Sequence, residues 1–323
     1  MLGGGNVSGK SEKAVEIPLN KGAKGFASAV AKIRQLQGRP DIIHAHSLPA
    51  VVFGIAVKIR FNLQPKLVYT FHWAVPPSWF KRAGVAVLQK MIDSIHVYSE
   101  EAKGFLSESY GITSDRIQLA YVGVDHLRFA GPPESREYIR RELGFSEDKL
   151  ILLYVGRLAP EKGIPHLLTY LRNTDRMDVK AVIVGSGDQE GELRAIVKRW
   201  QIEERVDFVP YTTRVEDFYR AADLLVLPSV SLETFGLVVV EAALCGLPAV
   251  RSDLPGASDQ ILDGETGFVY SPPQPGALAE KLDQILSGEY DLVEIGRRAR
   301  NHALGHFTYE TMYQAMLELY RRA

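Results

Sequence analysis

"DLLVLPSVSLETFGLVVVEAALCGLPAVRS" (Asp223–Ser252) decides how the chain is read. Asp223–Ser229 is a short apolar run that breaks at proline and serine, as a buried strand does. Residues 235–244 are apolar over a helical length, and Gly236 opens that helix. Pro248–Ser252 then reads as a second strand. Two strands joined through a helix run parallel, because a tight turn cannot connect them. The same alternation recurs along the chain. Strands are expected at Asp41–His46, Lys66–Phe71, Ile95–Ser99, Leu150–Gly156, Lys180–Gly185 and Val206–Pro210. Helices are expected around 25–37, 49–62, 78–91 and 189–200. This is the pattern of α/β domains with parallel sheets.

A chain of 323 residues makes about two such domains. "AGPPESRE" (Ala130–Glu137), with its paired prolines, is the expected linker, giving domains 1–132 and 133–305. In the final stretch 306–323, Tyr309, Met312, Met316, Leu319 and Tyr320 recur at helical spacing, which predicts a helix packing back toward the first domain. With 46% hydrophobic and 24% charged residues, the composition is that of a soluble globular protein. No apolar run reaches the roughly 18 residues of a membrane span, and the start lacks the pattern of a secretory leader. The single cysteine, Cys245, has apolar neighbours and reads as a packing residue in a reducing, cytoplasmic setting.

Net charge is −1 but uneven, at +7 over residues 1–130 and −8 over the rest. The basic first half suits an anionic acceptor or contact with a phospholipid surface; two domains of opposite charge also attract each other. No nucleic-acid partner is expected. Near the start, Gly4, Gly9, Lys10 and Ser11 match the phosphate-loop pattern G-x-x-x-x-G-K-[ST]. Three residues before it are too few for the strand it requires, and Pro18 stops the following helix. An ATP- or GTP-driven machine is therefore not the expectation.

In open parallel sheets, ligands bind beyond the C-terminal ends of the strands, where helix N-termini point. Strand 150–156 is followed there by Arg157, Glu161, Lys162 and Gly163. An arginine and a lysine bracketing one turn suit a polyanion, the first by forked hydrogen bonds and the second as a mobile charge. The amides of Phe235, Gly236 and Leu237 open a helix and add an anion site. Glu241, among apolar neighbours, needs a partner such as ribose hydroxyls, and Glu233 in the preceding loop suits sugar hydroxyls. His72 ends a strand, while His44 and His46 read as structural. These histidines lack cysteine or carboxylate support, so no metal site is expected. Nor is there a D-x-D pair.

The E-x7-E pair Glu233 and Glu241 in "PSVSLETFGLVVVEAALCGLP" resembles the retaining glycosyltransferases of family 4. So do "VGRLAPEKG", "VGSGDQEGEL", "DIIHAHS", "VYTFHW", "VYSEE" and "VGVDHLRF", in that family's order from about residue 40 to the end. The resemblance implies a GT-B fold, two Rossmann-like domains facing across a cleft. It also implies a nucleotide-diphosphate sugar as donor, with no cofactor and no metal, and a hydroxyl acceptor. By the same resemblance, Arg157 and Lys162 hold the donor diphosphate, Glu241 the ribose and Glu233 the transferred sugar. His72 faces sugar and acceptor, and Tyr211 is the candidate at the nucleotide base. Attack comes from the face of departure, and the donor phosphate takes the acceptor proton. A glycosidase could also use paired carboxylates, but the cationic cradle beside them argues against hydrolysis. Three departures stand out: the family's first βαβ unit is expected to be missing or truncated, Val122 replaces an asparagine, and Ala257 replaces the second glycine of a late pair. They keep open a catalytically impaired nucleotide-sugar-binding subunit, or a nucleotide-sugar 2-epimerase. Loop His72–Phe80, with two tryptophans, is expected to shape acceptor access.

Overall fold

The computed structural model describes residues 23–35, 40–62, 64–72, 89–129, 135–231, 233, 235–271 and 276–322. The phosphate-loop match, the linker core 130–134, the tryptophan loop after His72 and residues 78–88 of the expected helix 78–91 lie outside them. Four parallel strands form the first sheet, in the order β1 (Ile42–Ala45), β2 (Lys66–Thr70), β3 (Ser94–Val97) and β4 (Ile117–Leu119). Helix α1 (Ala23–Arg34) precedes them, and α2 (Leu48–Phe61) and α3 (Glu100–Tyr110) connect them. Both connecting helices start where a serine ends a strand. The side chains of Ser47 and Ser99 accept from the amides of Ala50 and Ala102, at 3.3 and 3.2 Å. Such a cap is worth about 1 kcal/mol and fixes the strand-to-helix turn at the sheet's C-terminal edge.

Short helices α4 (His126–Phe129) and α5 (Arg136–Glu142) lead into the second sheet. It comprises β5 (Leu150–Val155), β6 (Val179–Val184), β7 (Val206–Val209), β8 (Leu224–Leu227), β9 (Ala249–Ser252) and β10 (Phe268–Tyr270), all parallel, ordered β10-β9-β8-β5-β6-β7. The chain runs outward from β5 to β7, returns to β8 and runs outward the other way. Between β5 and β8 the direction reverses, and the crevice above such a switch point is the binding place of doubly wound sheets. Helices α6 (Ile164–Asn173), α7 (Glu190–Trp200), α8 (Val215–Ala221), α9 (Leu237–Leu244), α10 (Ala257–Gln260), α11 (Ala277–Ile285) and α12 (Leu292–His306) surround this sheet. Ile151–Tyr154 and Leu224–Val226 are fully buried, as expected of strands covered on both faces.

The eight expected strands form, within a residue or two of their expected ends. β4 and β10 go unnoticed in the sequence because three residues carry little pattern. Gln89–Met91, expected as the end of a helix, is a 3-10 turn. Ile117 belongs to the first core, whereas Val124 and Phe129 are buried in the second, where Phe129 meets Tyr219 edge to face. Arg128 pairs with Glu216 at 2.8 Å in the same region. Cys245 packs on the second core, and burial pushes its thiol up to about 12. Helix α13 (Tyr309–Arg322) begins against Gly123, whose amide meets the Met312 sulfur at 3.2 Å, and it ends with Tyr320 against His44.

Candidate active site

A cavity of about 440 Å³ opens between the two domains. His72, Tyr98 and Ser99 line it from the C-terminal edge of the first sheet. Arg157, Lys162, Glu233 and residues 235–238 line it from the second. Both walls are therefore strand ends and helix beginnings, as the sheet topology requires.

Lys162 is placed by backbone packing. Gly163 follows it at φ +64°, in the left-handed region that favours glycine. A Cβ there would lie 2.0 Å from the carbonyl oxygen of Pro228. This close approach clasps the loop after β5 to the loop after β8, and the Val230 amide donates to the Glu161 carbonyl at 2.9 Å. Lys162 Nζ thereby reaches Glu233 Oε2 at 2.8 Å, and the Ser229 hydroxyl donates to the same oxygen at 3.0 Å. Glu233 is only 8% exposed, so its charge is held by these two donors rather than by water. Arg157 is exposed at the rim and pairs with Glu161.

Gly236 starts α9 at φ +79°, and a Cβ there would crowd Leu227 and Arg251. Phe235 is buried, its ring stacked on Tyr121 and edge-on to Phe307, so its part of the cavity wall is set by the backbone. The Phe235 carbonyl accepts from Arg251 Nη1 at 3.0 Å, and the same arginine donates to the carbonyls of Leu254 and Pro255 and to Gln260. Arg251 is fully buried and braces the helix-start loop against the loop before α10. The sequence reading missed it, although an arginine inside the apolar strand "PAVRS" signals a charge that must be fully partnered.

Two expected residues stand away from the cavity lining. Glu241 faces α8, where it accepts from the Tyr219 hydroxyl at 2.7 Å. Burial raises its carboxyl above the usual range, with the Tyr219 bond and the Arg128 charge opposing. Tyr211 follows β7 at the outer edge of the sheet, 76% exposed. Val122 and Phe71 do line the cavity.

His72 sits among rings. His46 is 5.7 Å away between centroids and Tyr98 5.5 Å. Burial, with His46 beside it, lowers the His72 imidazole below its ordinary value, so it is neutral at physiological pH. His96, not singled out in the sequence, belongs to the same group, 4.7 Å from Tyr98. Among the described residues, no group of three or more His, Cys, Asp or Glu is arranged to hold a metal ion.

The domains are clasped beside the cavity. Glu101, at the start of α3, accepts from the Gly256 amide at 3.1 Å and the Ser258 hydroxyl at 2.9 Å. Asp259 accepts from the Tyr121 hydroxyl at 2.8 Å and the Glu100 amide at 3.2 Å. Burial opposes ionisation of both carboxyls. The Gly256 and Ser258 donors nevertheless hold Glu101 below its usual range, while Asp259, with that carboxylate beside it, is raised to about 6.

The sequence profile of the glycosyl transferases group 1 matches residues 135–302, and that of glycosyltransferase family 4 matches residues 6–128. The D-inositol 3-phosphate glycosyltransferase of Nocardia farcinica is 30% identical over 314 residues, covering 90% of this chain and 68% of its own. That of Gordonia bronchialis is 31% identical over 319 residues, with 91% and 68% covered. Among solved structures, Anabaena Alr3699/HepE in complex with UDP superposes with a TM-score of 0.81 at 24% identity, covering 93% of this chain and 83% of its own. A glycosyltransferase from Rickettsia africae also gives 0.81, at 22% identity, with 94% and 84% covered. The chain belongs to the glycosyl transferases group 1: it is a glycosyltransferase with two Rossmann-like domains in the GT-B arrangement.

Proposed function

We propose that this glycosyltransferase moves a sugar from a nucleotide-diphosphate donor, held on the second domain, to a hydroxyl acceptor entering from the first. Transfer retains the anomeric configuration and needs no metal. The observation that carries the reading is Lys162, pinned 2.8 Å from buried Glu233 beside the start of α9, at the switch point of the second sheet. An ammonium has three N–H donors. One serves Glu233, and the others can meet a phosphate without breaking that pair. Arg157 at the rim and the amides of Gly236 and Leu237 complete a cationic cradle for the departing diphosphate. Glu233, oriented by Lys162 and Ser229, accepts from a hydroxyl of the transferred sugar. The bond from the anomeric carbon to the phosphate oxygen breaks as the acceptor oxygen bonds to the same face. The acceptor proton passes to the leaving phosphate oxygen. Neutral His72 hydrogen-bonds sugar and acceptor. Glu241, turning from Tyr219, takes the ribose hydroxyls, and Tyr211 folds over the base.

The structural neighbour with UDP bound makes UDP the first nucleotide to test, and the inositol-phosphate-glycosylating relatives support a polyol hydroxyl as acceptor. The setting is cytoplasmic, with peripheral contact to an anionic surface through the basic first domain. There Ile59, 71% exposed, adjoins Arg60 on α2. Among the described residues no helix is long and apolar enough to cross a membrane. The test is release of nucleoside diphosphate from UDP-, GDP- and ADP-sugars with and without a panel of polyol acceptors. Release that depends on an acceptor supports transfer. Turnover of the donor without any acceptor supports the epimerase, and binding without turnover supports an impaired subunit.

A further inference from the structure

Behind the cavity, four side chains form one line of hydrogen bonds across the C-terminal edge of the first sheet. His96 Nε2 lies 2.9 Å from the Ala120 carbonyl oxygen and His96 Nδ1 3.0 Å from Thr70 Oγ1. Thr70 Oγ1 lies 2.6 Å from His44 Nε2, and His44 Nδ1 lies 2.8 Å from the Tyr320 hydroxyl. Strands β1, β2 and β3, the residue after β4 and the last helix are thus tied together.

The carbonyl at one end fixes the direction of every bond. A carbonyl only accepts, so His96 carries its proton on Nε2 and, being neutral, accepts on Nδ1. Thr70 has a single hydroxyl proton and gives it to His96, so its oxygen receives the Nε2–H of His44. His44 Nδ1 then accepts from Tyr320. Every donor and acceptor in the line is used once when both histidines are neutral. Burial favours that state, lowering His44 to about 3 and His96 to about 4. Among the described residues, the titratable groups facing the pair are other rings: His46, His72, Tyr98 and Tyr320.

Each histidine of the line supports a ring that touches His72. His46 stacks on His44 at 4.4 Å and reaches His72, while Tyr98 stands edge-on to His96 and also reaches His72. We propose that Tyr320, His44, Thr70 and His96 are positioning residues for transfer: one oriented hydrogen-bond line that holds His46 and Tyr98, and through them His72, against the cavity. The inference rests on His72 facing the acceptor, as proposed above. It makes the C-terminal helix part of the acceptor side, because that helix supplies the first donor of the line.

The experiment has two arms. Histidine-¹⁵N-labelled, ligand-free full chain is examined by NMR from pH 5 to 8. His44 and His96 are expected as neutral Nε2–H tautomers throughout, a result independent of any donor or acceptor. A charged ring at pH 7, or an Nδ1–H tautomer at either position, overturns the assignment. In the second arm Thr70→Val, Thr70→Ser and Tyr320→Phe are compared by steady-state kinetics. Loss of alignment at a reacting group lowers turnover, here by about tenfold in kcat for Thr70→Val and Tyr320→Phe, with the donor KM unchanged. Thr70→Ser keeps the hydroxyl and should restore kcat to within about twofold. A kcat near wild type in folded Thr70→Val and Tyr320→Phe overturns the positioning role. If no enzyme form turns over any donor, the NMR arm still decides the hydrogen-bond line, and the failure belongs to the proposed reaction.

Discussion

Replacing Lys162 by methionine keeps the length of the side chain and removes its charge. In the native protein the ammonium and the Ser229 hydroxyl donate to Glu233 Oε2, the two donors to it among the described residues, and Glu233 is 8% exposed. Removing one member of a buried ion pair costs about 3–5 kcal/mol, because the remaining charge is left uncompensated. The Lys162 side chain is 18% exposed, so some water replaces it and the lower figure, about 3 kcal/mol, applies. For a domain of this size each kcal/mol moves the melting temperature by about 2–4 °C, giving a loss of about 6–12 °C. Glu233→Gln in the Lys162→Met background removes the stranded charge and should recover most of that loss. The assay is thermal unfolding of the four proteins of this cycle at pH 7.5. A Lys162→Met protein melting within about 1 °C of wild type, or two substitutions whose effects simply add, would refute the buried pair.

Further outcomes follow from the same structure. The Glu241 carboxyl is raised by burial, so it favours folding most when protonated, and that contribution fades as pH rises through its folded value. Glu241→Gln should therefore melt higher than wild type at pH 7.5 and show no advantage at acid pH, while binding nucleotide more weakly; calorimetry at both pH values checks this. Asp259, raised to about 6, gives stability present below the ordinary carboxylate range and lost as pH passes 6. Asp259→Asn should flatten the change in melting temperature between pH 5 and 7.5, and an unchanged slope would contradict the shared clasp. Gly163→Ala places a Cβ 2.0 Å from the Pro228 oxygen at φ +64°. The left-handed backbone costs about 1–2 kcal/mol by itself, and the displaced loop should separate Lys162 from Glu233, seen as lost activity together with lower stability.

The fold was legible because buried parallel strands write themselves as short apolar runs. "LILLYVG" and "DLLVLPS" need no partner to be recognised, whereas the three-residue β4 and β10 have too little pattern to stand out. Lys162 and Glu233 were legible singly, each after a strand. Their pairing was not, since it depends on Gly163 letting two loops touch. Arg251 and His96 lie within apolar strands, where a polar side chain gives no hint of which loops it will brace. That Val124 and Phe129 pack with a core formed far along the chain is a long-range choice, which the local sequence does not reveal. The spacing of Glu241 marked it as special, but only the fold shows that Tyr219 is its hydrogen-bond donor.

The account stands on the second domain holding a nucleoside diphosphate between Lys162 and the start of α9. The measurement is a thermal-shift titration of UDP, GDP and ADP on wild type, Lys162→Met and Glu241→Ala. Ligand at about a hundredfold its dissociation constant stabilises by about 2.7 kcal/mol, a shift of several degrees here. The account predicts that one diphosphate produces that shift in wild type and a much smaller one in both variants. No shift with any of them, or equal shifts in all three proteins, would contradict it.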